Sequence, residues 1–154
     1  MYYVNREQID ARLRFIPVVT DALRRLAAGD GASPPIAHLA QERALHLAIE
    51  AVTDVGSLLI DGFMMRDASS YEDIVDVLRT ERVLPAETAE ALKALIAERR
   101  ALTQEYMKIE RGALRDDLEA VAALLDAFPP LVEQFIRSEL EPFASREEDG
   151  ETIG

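Results

Sequence analysis

Apolar residues recur along this chain at the three- and four-residue spacing of helices, and nowhere with the alternation of a strand. Ile9, Leu13, Ile16, Val19, Leu23 and Leu26 form the first such run, and Asn5 followed by Gln8 supplies a capping box at its start. The run predicts a helix to about residue 28. Pro17 lies inside it without a backbone donor, so a bend or a shortened first half is expected. Gly29, Asp30, Gly31, Ser33, Pro34 and Pro35 then punctuate a loop. A second long helix is predicted over 36–63, and a third from the Ser70/Asp73 cap through Leu78. Pro85 suits the first turn of a fourth that continues to about Met107. Gly112 separates this from a fifth over 113–128; Pro129 and Pro130 should then break the pattern before Leu131, Val132, Phe135, Ile136 and Leu140 resume it. The reading is an all-α, up-and-down bundle of about five helices with a body over 1–143. The segment 144–154, with Arg146 against Glu147, Glu148, Asp149 and Glu151, is expected to be an acidic disordered tail.

Two helices carry the chemical information. On the second, at about 100° per residue, Glu42, Arg43, His46, Glu50, Thr53, Asp54, Ser57 and Asp61 share a sector of roughly 120°. Leu45, Leu47, Ile49, Val52, Val55, Leu58, Leu59 and Ile60 fill the remaining arc, which makes this helix central with a narrow polar stripe. Such a stripe is either a solvent side, with His46 and Glu50 an ordinary pair one turn apart, or a polar groove that receives a ligand. On the fourth helix Ala91, Leu92, Leu95, Ile96 and Leu102 define an inward face, and Arg99 and Tyr106 lie within it. A guanidinium among aliphatic side chains needs a partner, for which Glu50 and Asp54 are the candidates, unless its long stem carries the charge past its neighbours to water. An inward Tyr by itself is ordinary core.

Composition narrows the function classes. With no cysteine, the chain has no disulfide framework, thiolate metal site or thiol nucleophile, and a reducing compartment suits it. Seventeen basic against 29 acidic residues give a net charge of −12, which removes the broad electrostatic footprint of a nucleic-acid binder, so any RNA contact must be local. No basic start followed by an apolar run opens the chain, and Asp54 and Asp61 interrupt the best later run, so a cytoplasmic protein without a membrane span is expected. A dinuclear carboxylate bundle wants two Glu-x-x-His units and the chain has neither, so no metal or other cofactor is expected. His38, just after the Pro-rich loop and with no visible partner, reads as a surface residue.

The opening Val4 to Ile9, the helix from Glu42 to Gly56, the segment Ser70-Tyr71-Glu72-Asp73-Ile74 and above all Arg99-Arg100-Ala101-Leu102-Thr103-Gln104-Glu105-Tyr106 resemble the HepT-like family of HEPN domains, closest to its firmicute-type branch. The resemblance spans roughly residues 2–140. It implies an all-helical homodimer and a metal-independent ribonuclease toxin whose partner is a minimal nucleotidyltransferase antitoxin. The family signature is Arg, four residues, His, one residue, Tyr. Arg99 and Tyr106 match it, and Gln104 stands where the His belongs. By this resemblance Arg99 contacts the scissile phosphate, and Tyr106 is the residue the antitoxin adenylylates.

Cleaving RNA without a metal needs a group that moves a proton at the 2′-hydroxyl or the leaving oxygen, and a cation for the charge developing on phosphorus. Glutamine keeps hydrogen bonds but cannot transfer the proton. His46 is the one side chain of the polar stripe able to substitute, provided that stripe faces Arg99. On a straight helix residues 99 and 104 lie about 140° apart, so one shared site requires a distorted helix end or a second subunit. Two functions follow: a weakened ribonuclease acting at a dimer groove, or a catalytically inactive module that binds RNA, a nucleotide or a protein partner.

Overall fold

In the computed structural model, residues 2–30 and 33–151 are described, with side chains through Glu141. Helix α1 (Arg6–Ala27) starts where expected: the Asn5 side chain accepts the Gln8 N–H at 3.2 Å. Pro17 does not shorten it. The proline is exposed, and the helix runs through it. Helix α2 (Pro34–Gly62) begins with prolines in its first two positions, where no intrahelical donor is missed. Helix α3 (Tyr71–Thr80) is capped by Ser70, which accepts the Asp73 N–H at 3.0 Å. Helix α4 (Ala86–Ile96) and the one-turn α5 (Arg99–Thr103) are followed by a 3₁₀ turn at Tyr106–Lys108 and by α6 (Leu118–Glu151). No strand occurs among the described residues.

The antiparallel order is visible in the ties between helices. The Tyr3 N–H donates to the Gly62 carbonyl at 3.1 Å, joining the start of α1 to the end of α2. Arg24, late in α1, reaches Glu119 and Asp126 early in α6, whereas Arg6 reaches Glu133 further along. Asp76 and Lys93 pair at 3.0 Å between α3 and α4. Helix α2 packs against α1, α3 and α5, and α6 packs against α1 and α4. Ile9, Ile16 and Leu23 of α1, Ile49, Val52 and Leu59 of α2, Leu78, Leu92, and Leu125 and Phe128 of α6 fill the common core. Of the apolar arc expected on α2, only Leu47 and Leu58 remain half-buried, while Thr53 of the polar stripe is buried with its hydroxyl donating to the Ile49 carbonyl at 2.8 Å.

Three expectations are corrected. The helix predicted from Pro85 to Met107 is interrupted after Ile96, where the backbone stays right-handed but the Glu98 N–H turns to the Leu95 carbonyl and tightens the turn. The prolines at 129 and 130 do not break α6. Phe128 and Val132, fully buried on either side, keep the helix on the core, and Pro130 is on the solvent side. Finally, α6 begins at Leu118 rather than near 113, and it runs to Glu151 within the acidic stretch. Residues 152–154 of that stretch lie outside the described residues.

Gly56 lets α2 and α3 approach closely: a Cβ there would lie 2.3 Å from Ile74 Cγ2, a buried β-branched methyl with little freedom to move. Gly56→Ala is therefore expected to destabilise by about 1–3 kcal/mol despite the better helix propensity of alanine. Urea unfolding checks this; a stabilised variant would show that the contact yields easily.

Candidate functional site

Arg99 is the first residue of α5, and its guanidinium is committed twice. Its Nε donates to Glu50 Oε1 on α2 at 3.0 Å, and the guanidinium carbon lies 3.9 Å from the centre of the Tyr71 ring at the start of α3. The side chain is 25% exposed, so it is neither snorkelled away nor fully enclosed. Nη1 and Nη2 make no hydrogen bond to a described residue. A guanidinium whose plane is fixed by a ring and whose Nε is held by a carboxylate presents its remaining edge to an anion in a defined orientation.

Glu50 Oε1 is also 3.4 Å from His46 Nε2, one turn earlier on α2. Arg43 Nη1 lies 3.1 Å from His46 Nδ1. Arg43, His46, Glu50 and Arg99 thus form one continuous chain of polar contacts along the exposed side of α2. Asp54, the other candidate partner for Arg99, is taken instead by Arg12 of α1 at 3.2 Å.

Gln104 and Tyr106 are placed differently. Because α4 ends at Ile96, the straight-helix wheel does not apply to them. Gln104 is the C-cap of α5 and exposed, and Tyr106 is 53% exposed on the 3₁₀ turn rather than inward. Neither side chain makes a hydrogen bond to a described residue, so Arg99 is joined to the stripe on α2 but not to its two companions in the motif. The distorted helix end that a common site requires is nevertheless present: the N–H groups of Gln104 and Glu105 both donate to the Arg100 carbonyl, after which the chain tightens into the 3₁₀ turn.

Two ionic clamps hold this segment. Arg111 grips Glu42 through Nε and Nη2, at 2.7 and 2.8 Å, and Nη2 also donates to the Tyr106 carbonyl at 3.0 Å. Arg115 binds Glu98 and Asp117, and its backbone N–H donates to Gln41 Oε1 at 2.9 Å. His38 is the corrected member of this group. It is 5% exposed, and its Nδ1 lies 3.1 Å from Glu42 Oε2. The one-turn spacing of His38 and Glu42 was a usable signal for that pair. No local pattern signals the ties of Arg111 to Glu42, of Arg115 to Glu98 and Gln41, or of Tyr71 to Arg99, which join segments far apart along the chain.

The hydrogen bond from Arg111, more than any other cause, holds the Glu42 carboxyl below its usual range; His38 adds to this while desolvation opposes it. A carboxyl with a depressed folded pKa contributes stability that is present above its unfolded value, about 4.3, and is lost as pH falls through the folded value. Glu42→Gln is expected to flatten the loss of thermal stability on acidification below about pH 4.3. An unchanged acid slope would show that the clamp contributes nothing to folding.

Comparison with known proteins gives the family of the chain. A family model described as Ribonuclease HepT-like matches residues 13–135. Putative RNase YutE of Bacillus subtilis (strain 168) is 36% identical over 148 residues, spanning 94% of this chain and 99% of the relative. The solved structure of YutE from Bacillus subtilis, described as a cytosolic protein of unknown function, matches with a TM-score of 0.76 at 37% identity, covering 91% of this chain and 96% of that chain. Among the described residues no helix is long and apolar enough to cross a membrane. An all-helical fold shared with YutE, and a family match that contains Arg99 and everything packed around it, establish that this chain belongs to the HepT-like ribonuclease family.

Proposed function

We propose that this protein is a metal-independent ribonuclease, the toxin of a toxin–antitoxin pair, which cleaves RNA beside Arg99 with an activity weakened by Gln104. The observation that carries the reading is the posture of Arg99: a half-buried guanidinium oriented by Glu50 and Tyr71, with its Nη edge left for a phosphate. In a chain of net charge −12 such a fixed cation offers an anion site by local geometry rather than by overall field. Tyr106 is the proposed site of adenylylation by a minimal nucleotidyltransferase antitoxin, and its 53% exposure leaves the turn open to a second protein. Gln104 specifically favours a second reading, a HEPN module that binds RNA, a nucleotide or a protein partner without cleaving. Incubating single-stranded RNA with the wild type and with Arg99→Ala in EDTA decides between them. Cleavage by the wild type alone supports the ribonuclease; equal absence of cleavage leaves the binding module.

The working unit is a homodimer with the site in the groove between subunits. Ile36 and Leu39, 63% and 54% exposed, lie on the same arc of α2 as Arg43, His46 and Glu50, so apolar surface in need of cover adjoins the polar chain. Sedimentation should show twice the 17.1 kDa chain mass at micromolar concentration. A monomer alone would remove the groove from the proposal.

A further inference from the structure

The chain has two histidines, and the fold gives them opposite fates. His38 is 5% exposed and locked against Glu42, out of reach of a substrate. His46 has a side chain 26% exposed and shares Glu50 Oε1 with Arg99, so imidazole and guanidinium are no more than two contact lengths apart. On this basis we propose that His46, held between Glu50 and Arg43, is the catalytic base that takes the 2′-hydroxyl proton in place of the missing motif histidine. The proposal rests on the ribonuclease reading above.

The hydrogen-bond roles specify how it works. A guanidinium can only donate, so the 3.1 Å contact from Arg43 Nη1 makes Nδ1 of His46 the acceptor and leaves the ring proton on Nε2, the atom 3.4 Å from Glu50. Nδ1 is therefore the basic atom, and Arg43 covers it. Arg43 is exposed and on a long stem, so a phosphate of the incoming strand draws it away and uncovers the lone pair. The 2′-hydroxyl then gives its proton to Nδ1 as its oxygen bonds to phosphorus. The bond from phosphorus to the 5′-oxygen breaks, and that oxygen takes a proton from water. The products are a 2′,3′-cyclic phosphate and a 5′-hydroxyl, and the imidazolium returns its proton to solvent. Glu50 is a positioning residue: it faces the positive charge that arises on the ring and also orients Arg99. The charge on phosphorus develops against the free edge of Arg99.

The test is the rate of single-stranded RNA cleavage in EDTA across pH, for the wild type, His46→Gln, His46→Ala with and without added imidazole, and Arg99→Ala. Circular dichroism verifies that each variant is folded. His46→Gln preserves hydrogen bonding and is expected to lower kcat by about 10²- to 10⁴-fold with little change in KM. The pH–rate profile of the wild type, in which Arg43 and Glu50 of α2 are the charged groups in contact with the ring, should have an acidic limb that His46→Gln lacks. Added imidazole should restore part of the activity of His46→Ala, which a merely structural role would not produce. Cleavage that persists in both His46 variants but disappears in Arg99→Ala overturns the role of His46 and leaves the ribonuclease reading standing. Wild-type cleavage no greater than that of Arg99→Ala overturns both.

Discussion

Replacing Gln104 by histidine is expected to raise cleavage of single-stranded RNA by on the order of 10²-fold, the lower end of what a positioned acid or base contributes, because in the proposed mechanism His46 carries part of the proton transfer. The change corresponds to roughly 3 kcal/mol of barrier. Gln104 caps α5 five residues after Arg99, is exposed, and makes no hydrogen bond to a described residue through its side chain. The substitution therefore disturbs nothing that holds the fold, and stability should stay within about 0.5 kcal/mol. An amide at this position can bind a phosphate or a 2′-hydroxyl but cannot pass a proton; an imidazole can do both. The measurement is the initial rate in EDTA together with a thermal melt of each protein. An unchanged rate at unchanged stability would mean that residue 104 never approaches the reacting phosphate.

Arg99→Ala should reduce cleavage by about 10²- to 10³-fold, the usual effect of deleting a donor aimed at developing charge. It should also destabilise the protein by about 1–2 kcal/mol, through loss of the stack on Tyr71 and of the partly exposed pair with Glu50. The pair lies partly in solvent, so the penalty of several kcal/mol for a fully buried, orphaned charge does not apply. Arg100 is the matched control. It is exposed, one residue away, and joined to no acidic side chain among the described residues, so Arg100→Ala should move stability by less than about 0.5 kcal/mol. Equal losses of activity from the two substitutions would show that general positive charge, rather than the orientation Glu50 imposes on Arg99, serves the reaction.

The first three helices could be read almost to the residue because the forces that define them are local. Asn5 and Ser70 cap the helices predicted from their spacing, and the run from Ile9 to Leu23 is buried in α1 as its period requires. The kind of partner Arg99 takes follows from similar logic: an inward guanidinium needs a carboxylate, and the polar stripe of α2 offers two. Choosing Glu50 over Asp54 was beyond that logic, since the choice depends on Arg12 of α1 occupying Asp54.

The end of the fourth helix shows where local reasoning stops. Nothing in Ala97-Glu98-Arg99-Arg100 is a helix breaker, and propensity alone continues the helix to Met107. Its regular hydrogen bonding lapses at Ala97 and Glu98, where the backbone stays right-handed but the Glu98 N–H shifts to the Leu95 carbonyl; here Glu98 meets Arg115 and Arg99 meets Glu50 and Tyr71, contacts that exist only once α2, α3 and the segment before α6 are assembled. That break moves Tyr106 from an expected inward face to the surface. The opposite happens at Pro129 and Pro130, where local rules predict a break and the buried Phe128 and Val132 carry the helix through. The sequence by itself therefore determined the helical class, the caps at Asn5 and Ser70 and the central place of α2, which depend on neighbours within about one turn, while Arg99, Gln104 and Tyr106 were singled out by resemblance to a family motif. Tertiary structure alone decided that Arg99 and Tyr71 join the one-turn pair of His46 and Glu50, and that His38 is sealed away beside Glu42, because contacts between segments dozens of residues apart leave no periodic trace in the chain.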